Sequence, residues 1–119
     1  MDVNYQTYLP FIDIKDGLNR LRDNKTLYGK LLKSFLANTY MDMAAAAAAA
    51  GDFAAAAAHA HAIKGSSANL SLTRVYQDSL ALEQCFKAGG GGYQILFDTL
   101  KTSTAETFAL INKLLTELQ

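Results

Sequence analysis

Apolar side chains recur at steps of three and four along most of this chain, the spacing that places them on one face of an α-helix. Ile14, Leu18 and Leu21 give about two turns of it. Leu27, Leu31 and Phe35 form a longer seam, widened by Tyr28, Leu32 and Leu36, and this face is expected in the core. Asp23 or Asn24 can cap that helix, and the spacing predicts that it continues through the alanine run to Ala50, where Gly51 ends it. Asp52 is placed to cap a helix over Phe53 to Leu70, with a break near Ser71. Val75, Ser79, Leu82 and Phe86 then form one stripe as far as Gly89-Gly90-Gly91-Gly92, a run that suits a flexible connector. A last long helix starts near Tyr93, with Leu96, Leu100, Ile111, Leu114 and Leu118 inward and Lys101, Glu106 and Lys113 in water. With one proline, Pro10, and few strand or turn signals, the pattern predicts an all-α chain. Short connections between long amphipathic helices favour an antiparallel up-down four-helix bundle over about residues 25–119, with a short N-terminal helical lid over about 1–24.

Composition narrows the function classes. At 119 residues the chain fits a single domain with a working apolar core. Eleven Lys plus Arg balance eleven Asp plus Glu, so no excess of positive charge is available to hold a polyanion, and a nucleic-acid partner is not expected. No stretch of large apolar side chains approaches the ~20 residues that cross a bilayer, and Met1-Asp2-Val3-Asn4 has neither a basic nor an apolar leader segment. The expected location is cytoplasmic, without a membrane partner. A lone cysteine, Cys85, makes no internal disulfide and no cysteine metal site; it falls on the side of its helix's apolar stripe and reads as a small buried hydrophobe. The alanine runs at 44–50 and 54–58, whether natural low complexity or introduced alanine, carry no chemistry and conceal which face is buried.

The informative segment is Ala58-His59-Ala60-His61-Ala62-Ile63-Lys64-Gly65-Ser66-Ser67-Ala68-Asn69-Leu70. At ~100° per residue, His61 shares a helix face with Lys64, Gly65 and Ala68, while Ala57 and Ala58 lie on its other side. The imidazole therefore rises from a floor of small side chains with one ammonium beside it. A mid-helix glycine costs ~1 kcal/mol relative to alanine, so Gly65 one turn from a histidine calls for a reason, and clearance for a bulky group on the ring is one. Lys64 would supply charge and donors to that group if it were anionic, as a phosphoryl is. Ile63 and Leu70 point to the opposite face with His59 between them, and His59 reads as a packed histidine.

His61-Ala62-Ile63-Lys64-Gly65-Ser66-Ser67-Ala68, preceded by Ala60, resembles the His-x-x-Lys-Gly signature of histidine-containing phosphotransfer (HPt) domains of two-component phosphorelays. Asp16-Gly17-Leu18 and Arg20-Leu21 resemble that family's opening segment, Gly51-Asp52 its Gly-Asp before the histidine helix, and Leu82-Glu83 its Leu-Glu in the following helix. Ser71 departs from the pattern, standing where the family usually has glycine. The resemblance implies that His61 accepts the phosphoryl group, with Lys64 as its electrostatic partner and Gly65 and Ala68 as clearance. It also implies a phosphocarrier and not an autonomous enzyme, which passes phosphate between response-regulator receiver domains, with a hybrid sensor histidine kinase as a further candidate partner. The chain has no carboxylate cluster facing His61 and no glycine-rich phosphate loop, so no cofactor of its own is expected and Mg²⁺ is expected on the receiver. Glu83 could pair with a neighbouring cation but reads by default as a solvated or capping residue.

Two other readings compete. A His-x-His metal site would need His59 and His61 on one face, but on a helix the two rings diverge by about 160°. A helical interaction module without transfer activity would share the fold and lack acid-labile phosphate.

Overall fold

The computed structural model describes residues 4–118. Among them the chain is all helical: a 3₁₀ turn at Tyr5–Tyr8 precedes α1 (Ile14–Arg20), α2 (Lys25–Leu36), α3 (Tyr40–Ala49), α4 (Phe53–Asn69), α5 (Thr73–Lys87) and α6 (Tyr93–Glu117). Side-chain caps set several of these starts. The Asn24 carboxamide oxygen accepts the Leu27 N–H at 3.0 Å and the Asp52 carboxylate accepts the Ala55 N–H at 3.0 Å, each satisfying an orphan donor of the first turn.

The continuous helix expected from Asn24 to Ala50 is instead two helices, parted at Ala37-Asn38-Thr39. Asn38 is the cause. Its side-chain N–H donates to the Phe35 carbonyl and its oxygen accepts the Tyr40 N–H at 3.1 Å, so one short polar side chain replaces bonds that the helix ladder would have made. After the break, α3 packs along α4, whereas α2 lies against α1 and α6. The buried seam of α2 also shifts from the expected one: Tyr28, Leu32 and Phe35 are enclosed, while Leu27 and Leu31 stay more than a third exposed. Tyr28 anchors that rotation because its hydroxyl donates to the Leu70 carbonyl at 2.8 Å.

Helices α4 and α5 lie side by side and run in opposite directions. Phe53 meets Phe86 at one end with ring centroids 6.0 Å apart, His61 faces Glu83 midway, and the chain reverses at residues 70–72. Ser71, the residue where a glycine would be usual, takes the left-handed conformation at φ +56°. It is held there from three sides: the Leu72 N–H bonds the Ser67 carbonyl, the Ser71 hydroxyl donates to Asp16, and the Ser71 carbonyl accepts the Asp13 N–H. The glycine run closes tightly in place of the loose connector its composition suggests. Gly90 at φ +80° donates its N–H to the Cys85 carbonyl at 2.9 Å, and a Cβ there would lie 2.6 Å from the Phe53 ring.

Ala44, Ala48, Ala56, Ala57 and Ala60 are the alanines that face the core. The stripes expected on α5 and α6 hold, with Val75, Ser79, Leu82, Phe86, Leu100, Ile111 and Leu114 buried and Leu96 and Leu118 packed at their edge. The N-terminal piece is part of the same core, since Tyr8, Ile12, Ile14 and Leu18 are buried and the Tyr8 hydroxyl donates to Glu117 at 2.6 Å. Residues 1–3 of the expected lid lie outside the described residues.

Gly17 on α1 lies directly against Tyr28 of α2. A Cβ on it would stand 2.7 Å from the Tyr28 hydroxyl oxygen and 2.8 Å from two ring carbons, and the ring cannot retreat without breaking its bond to Leu70. Gly17→Ala is therefore expected to lower stability by about 1–3 kcal/mol, although alanine is the better helix former. Urea unfolding checks it, and a midpoint at or above wild type would refute the close contact.

Candidate functional site

His61 stands on the outer face of α4 with 64 % of its side chain exposed, and its Nδ1 lies 2.9 Å from Oε2 of Glu83 on α5. Glu83 is 2 % exposed. Three groups converge on its carboxylate: His61 Nδ1, Lys64 Nζ at 2.8 Å from Oε1, and Lys87 Nζ at 3.0 Å from Oε2. The Lys64 contact is an ion pair by distance, without the alignment of a hydrogen bond at Oε1. Helical spacing assembles the cluster, since His61 and Lys64 are one turn apart on α4 and Glu83 and Lys87 one turn apart on α5.

Burial by itself would raise the Glu83 pKa, but the contacts with Lys64, Lys87 and His61 outweigh it and hold the carboxyl down at about 2. An ionised carboxylate only accepts, so the proton of a neutral His61 ring sits on Nδ1 and the lone pair on Nε2. One carboxylate against two ammonium groups leaves a net positive charge beside the ring. The site is thus a histidine with Nδ1 anchored on a carboxylate, Nε2 free of it, and local charge that favours an anion.

The structure brings His61 and Lys64 together, as their spacing implies, but through Glu83: Lys64 spends its charge on the carboxylate. Glu83 is the opposite of the solvated residue expected, because α5 turns it inward onto α4. Glu83 and Lys87 are the site residues that the face analysis missed. The available signals were the Leu82-Glu83 pair and the Glu-to-Lys step of four, a favourable ion-pair spacing on a helix. Gly65 is exposed and a Cβ on it would meet nothing within 4 Å. Ala68 lies about two turns along and lines a different recess with Asp16, Arg20, Ser71 and Tyr76. His59 is half-buried on another side of α4. Cys85, expected buried, is half-exposed with its thiol on the Gly91 carbonyl at 3.3 Å.

Beside His61 an open groove of about 620 Å³ runs over Ala54, Ala57 and Ala58 between Phe53, Phe86 and Lys87. Its floor is low because those side chains end at Cβ. Phe53, Phe86 and Tyr93 form one aromatic cluster that fixes the groove wall. Among the described residues no three His, Cys, Asp or Glu side chains converge as a metal-ligand set, and no helix is long and apolar enough to cross a membrane.

The Glu83 pKa sets a stability term with a definite sign. Its folded value, about 2, lies below the ordinary 4.5, so the contribution is complete above about pH 4.5 and is lost as pH falls toward 2. Urea unfolding across that window should show Glu83→Gln with a flatter acid limb than wild type. Equal slopes for the two proteins would contradict the depressed pKa.

A scan against protein-family models matches residues 30–119 to the Hpt domain. Searches of curated proteins and of solved structures found no significant match. The family match begins at Lys30, so the likeness of Asp16-Gly17-Leu18 and Arg20-Leu21 to an opening segment lies outside it. The matched region includes every member of the histidine, glutamate and lysine cluster, and the chain belongs to the Hpt domain family, whose members are the phosphotransfer domains of two-component signalling.

Proposed function

We propose that His61 is the phospho-accepting residue of this domain and that it relays a phosphoryl group from an aspartyl phosphate on one receiver domain to the aspartate of another. The observation that carries this reading is the exposed imidazole whose Nδ1 is held by a buried, ionised Glu83. The Nε2 lone pair attacks phosphorus, the P–O bond to the receiver's aspartate breaks, and that carboxylate leaves with the bonding pair. The ring then carries positive charge with its proton still on Nδ1, and Glu83 stabilises that charge directly. Lys64 and Lys87 offset the phosphoryl's negative charge from either side of the carboxylate. The reverse transfer uses the same contacts.

In this reading the divalent metal belongs to the receiver, because Glu83, the one carboxylate lining the groove beside His61, is already committed to three partners. The domain is a phosphocarrier, and most of the catalysis falls to its partner. The receiver would dock over the groove, where the partly exposed Phe53 and the alanines beside it offer apolar surface and Lys87 a cation at the rim. A cytoplasmic location goes with such partners. The single-domain reading over residues 1–119 goes with it too, with α3 to α6 as an antiparallel up-down four-helix bundle and residues 1–24 as the lid. It is supported by the consecutive packing of α3 on α4, α4 on α5 and α5 on α6.

Incubation with a phosphorylated receiver should label wild type with acid-labile phosphate, leave His59→Gln labelled and abolish label on His61→Gln with its helical spectrum intact. Label retained on His61→Gln would overturn the assignment.

Gly65 provides the second test. With open space around it, Gly65→Gln should hold or raise the melting temperature, since removing a helical glycine is worth up to ~1 kcal/mol. Transfer should fall in the same protein, because the new side chain projects beside the His61 ring. Wild-type transfer rates with an unchanged melt would show that clearance is not the role of Gly65.

A further inference from the structure

Two lysines flank Glu83, and its carboxylate holds them unequally. We propose that Lys87 is the catalytic cation of this site, leaving Glu83 to contact the phosphoryl group on Nε2, while Lys64 is a positioning residue that stays on the carboxylate; the assignment rests on the phosphotransfer reading. Lys87 lies outside the His-x-x-Lys-Gly signature, which reaches only Lys64 and Gly65.

The two carboxylate oxygens differ in what they can give up. Oε1 is buried, makes no hydrogen bond, and has the Lys64 ammonium at 2.8 Å as its one cation among the described residues. Withdrawing Lys64 would leave a desolvated anionic oxygen alone, a costly state, and the Lys64 side chain is itself only 23 % exposed. Oε2 is shared between His61 Nδ1 at 2.9 Å and Lys87 Nζ at 3.0 Å, so it keeps the imidazole if Lys87 departs. Lys87 is 65 % exposed on a flexible stem, and it borders the open groove beside His61, which Lys64 does not.

Phosphorylation itself drives the exchange. The neutral ring becomes a cation whose Nδ1–H rests on Oε2, the oxygen that Lys87 occupies, so two full positive charges then compete for one oxygen. A phosphoryl group with about two negative charges arrives at Nε2 of the same ring. Lys87 is thereby repelled from Oε2 and drawn to the phosphoryl oxygens, and Lys64 keeps Oε1.

Phosphoramidate tests this on the full chain without a receiver: Nε2 attacks phosphorus, the P–N bond breaks, and ammonia leaves with the bonding pair. Carbon NMR at lysine Cε should show the Lys87 signal moving further on phosphorylation than that of Lys64. Lys87→Met should be labelled roughly tenfold more slowly, the loss of one charge-assisted contact, and Lys87→Arg should recover most of the rate. Lys64→Met should raise the titration of Glu83, followed at its carboxyl carbon, by more than Lys87→Met does. A Lys87→Met protein labelled at the wild-type rate, a Lys64 signal that moves further than that of Lys87, or equal titration of Glu83 in the two variants would each overturn this inference and leave the phosphotransfer reading standing. Wild type that takes no phosphohistidine would overturn both. Because Lys87 is exposed, its variants fold whether or not Lys64→Met does.

Discussion

A carboxylate that is 2 % exposed stays ionised only if its surroundings replace the water it has lost, and Glu83 has that replacement in Lys64, Lys87 and His61. The requirement runs both ways. Two lysines and an imidazole on the surface of a helix pair would otherwise sample many rotamers, and a single buried acceptor draws all three to one point. The position of the ring, the proton on Nδ1 and the net positive charge around it all follow from where α5 places one glutamate. Each contact alone would be a modest surface pair, but sharing a desolvated carboxylate makes them mutually dependent.

That placement depends on how α4 and α5 are held along their length. At one end the aromatic cluster of Phe53, Phe86 and Tyr93 locks the helices together, with Gly90 admitted against the Phe53 ring because it has no side chain. At the other, Ser71 reverses the chain in a left-handed conformation braced by Asp13 and Asp16. The N-terminal piece is thus tied to the turn that sets the register of the site's two helices. Tyr28, bonded to the Leu70 carbonyl and packed against Gly17, strengthens the same corner. The alanines that line the groove by His61 contribute to the site by being short: they leave the ring standing above its surroundings.

Periodicity and single-residue chemistry made much of this legible in the chain itself. Helices starting at Asn24 and Asp52, the inward stripes of α5 and α6, the exposed His61 with Lys64 and Gly65 on its face, and the buried Ile63 behind it all depend on spacing within one helix, which the order of residues determines. What only the tertiary structure decided lies between elements. Leu27, Leu31 and Tyr28 are equally apolar in pattern, and the hydrogen bond from Tyr28 to a residue 42 positions away chose which of them went inside. Asn38 parted a helix that alanine propensity would have carried through, because its side chain could satisfy two backbone groups at once. Glu83 looks like any charged helix residue until α5 is packed on α4, and only then does burial turn it into the acceptor around which the histidine and both lysines arrange. Propensity and spacing act over a few residues, whereas desolvation depends on which surfaces meet, and that is why spacing alone singled out the histidine and left Glu83 reading as a solvated residue.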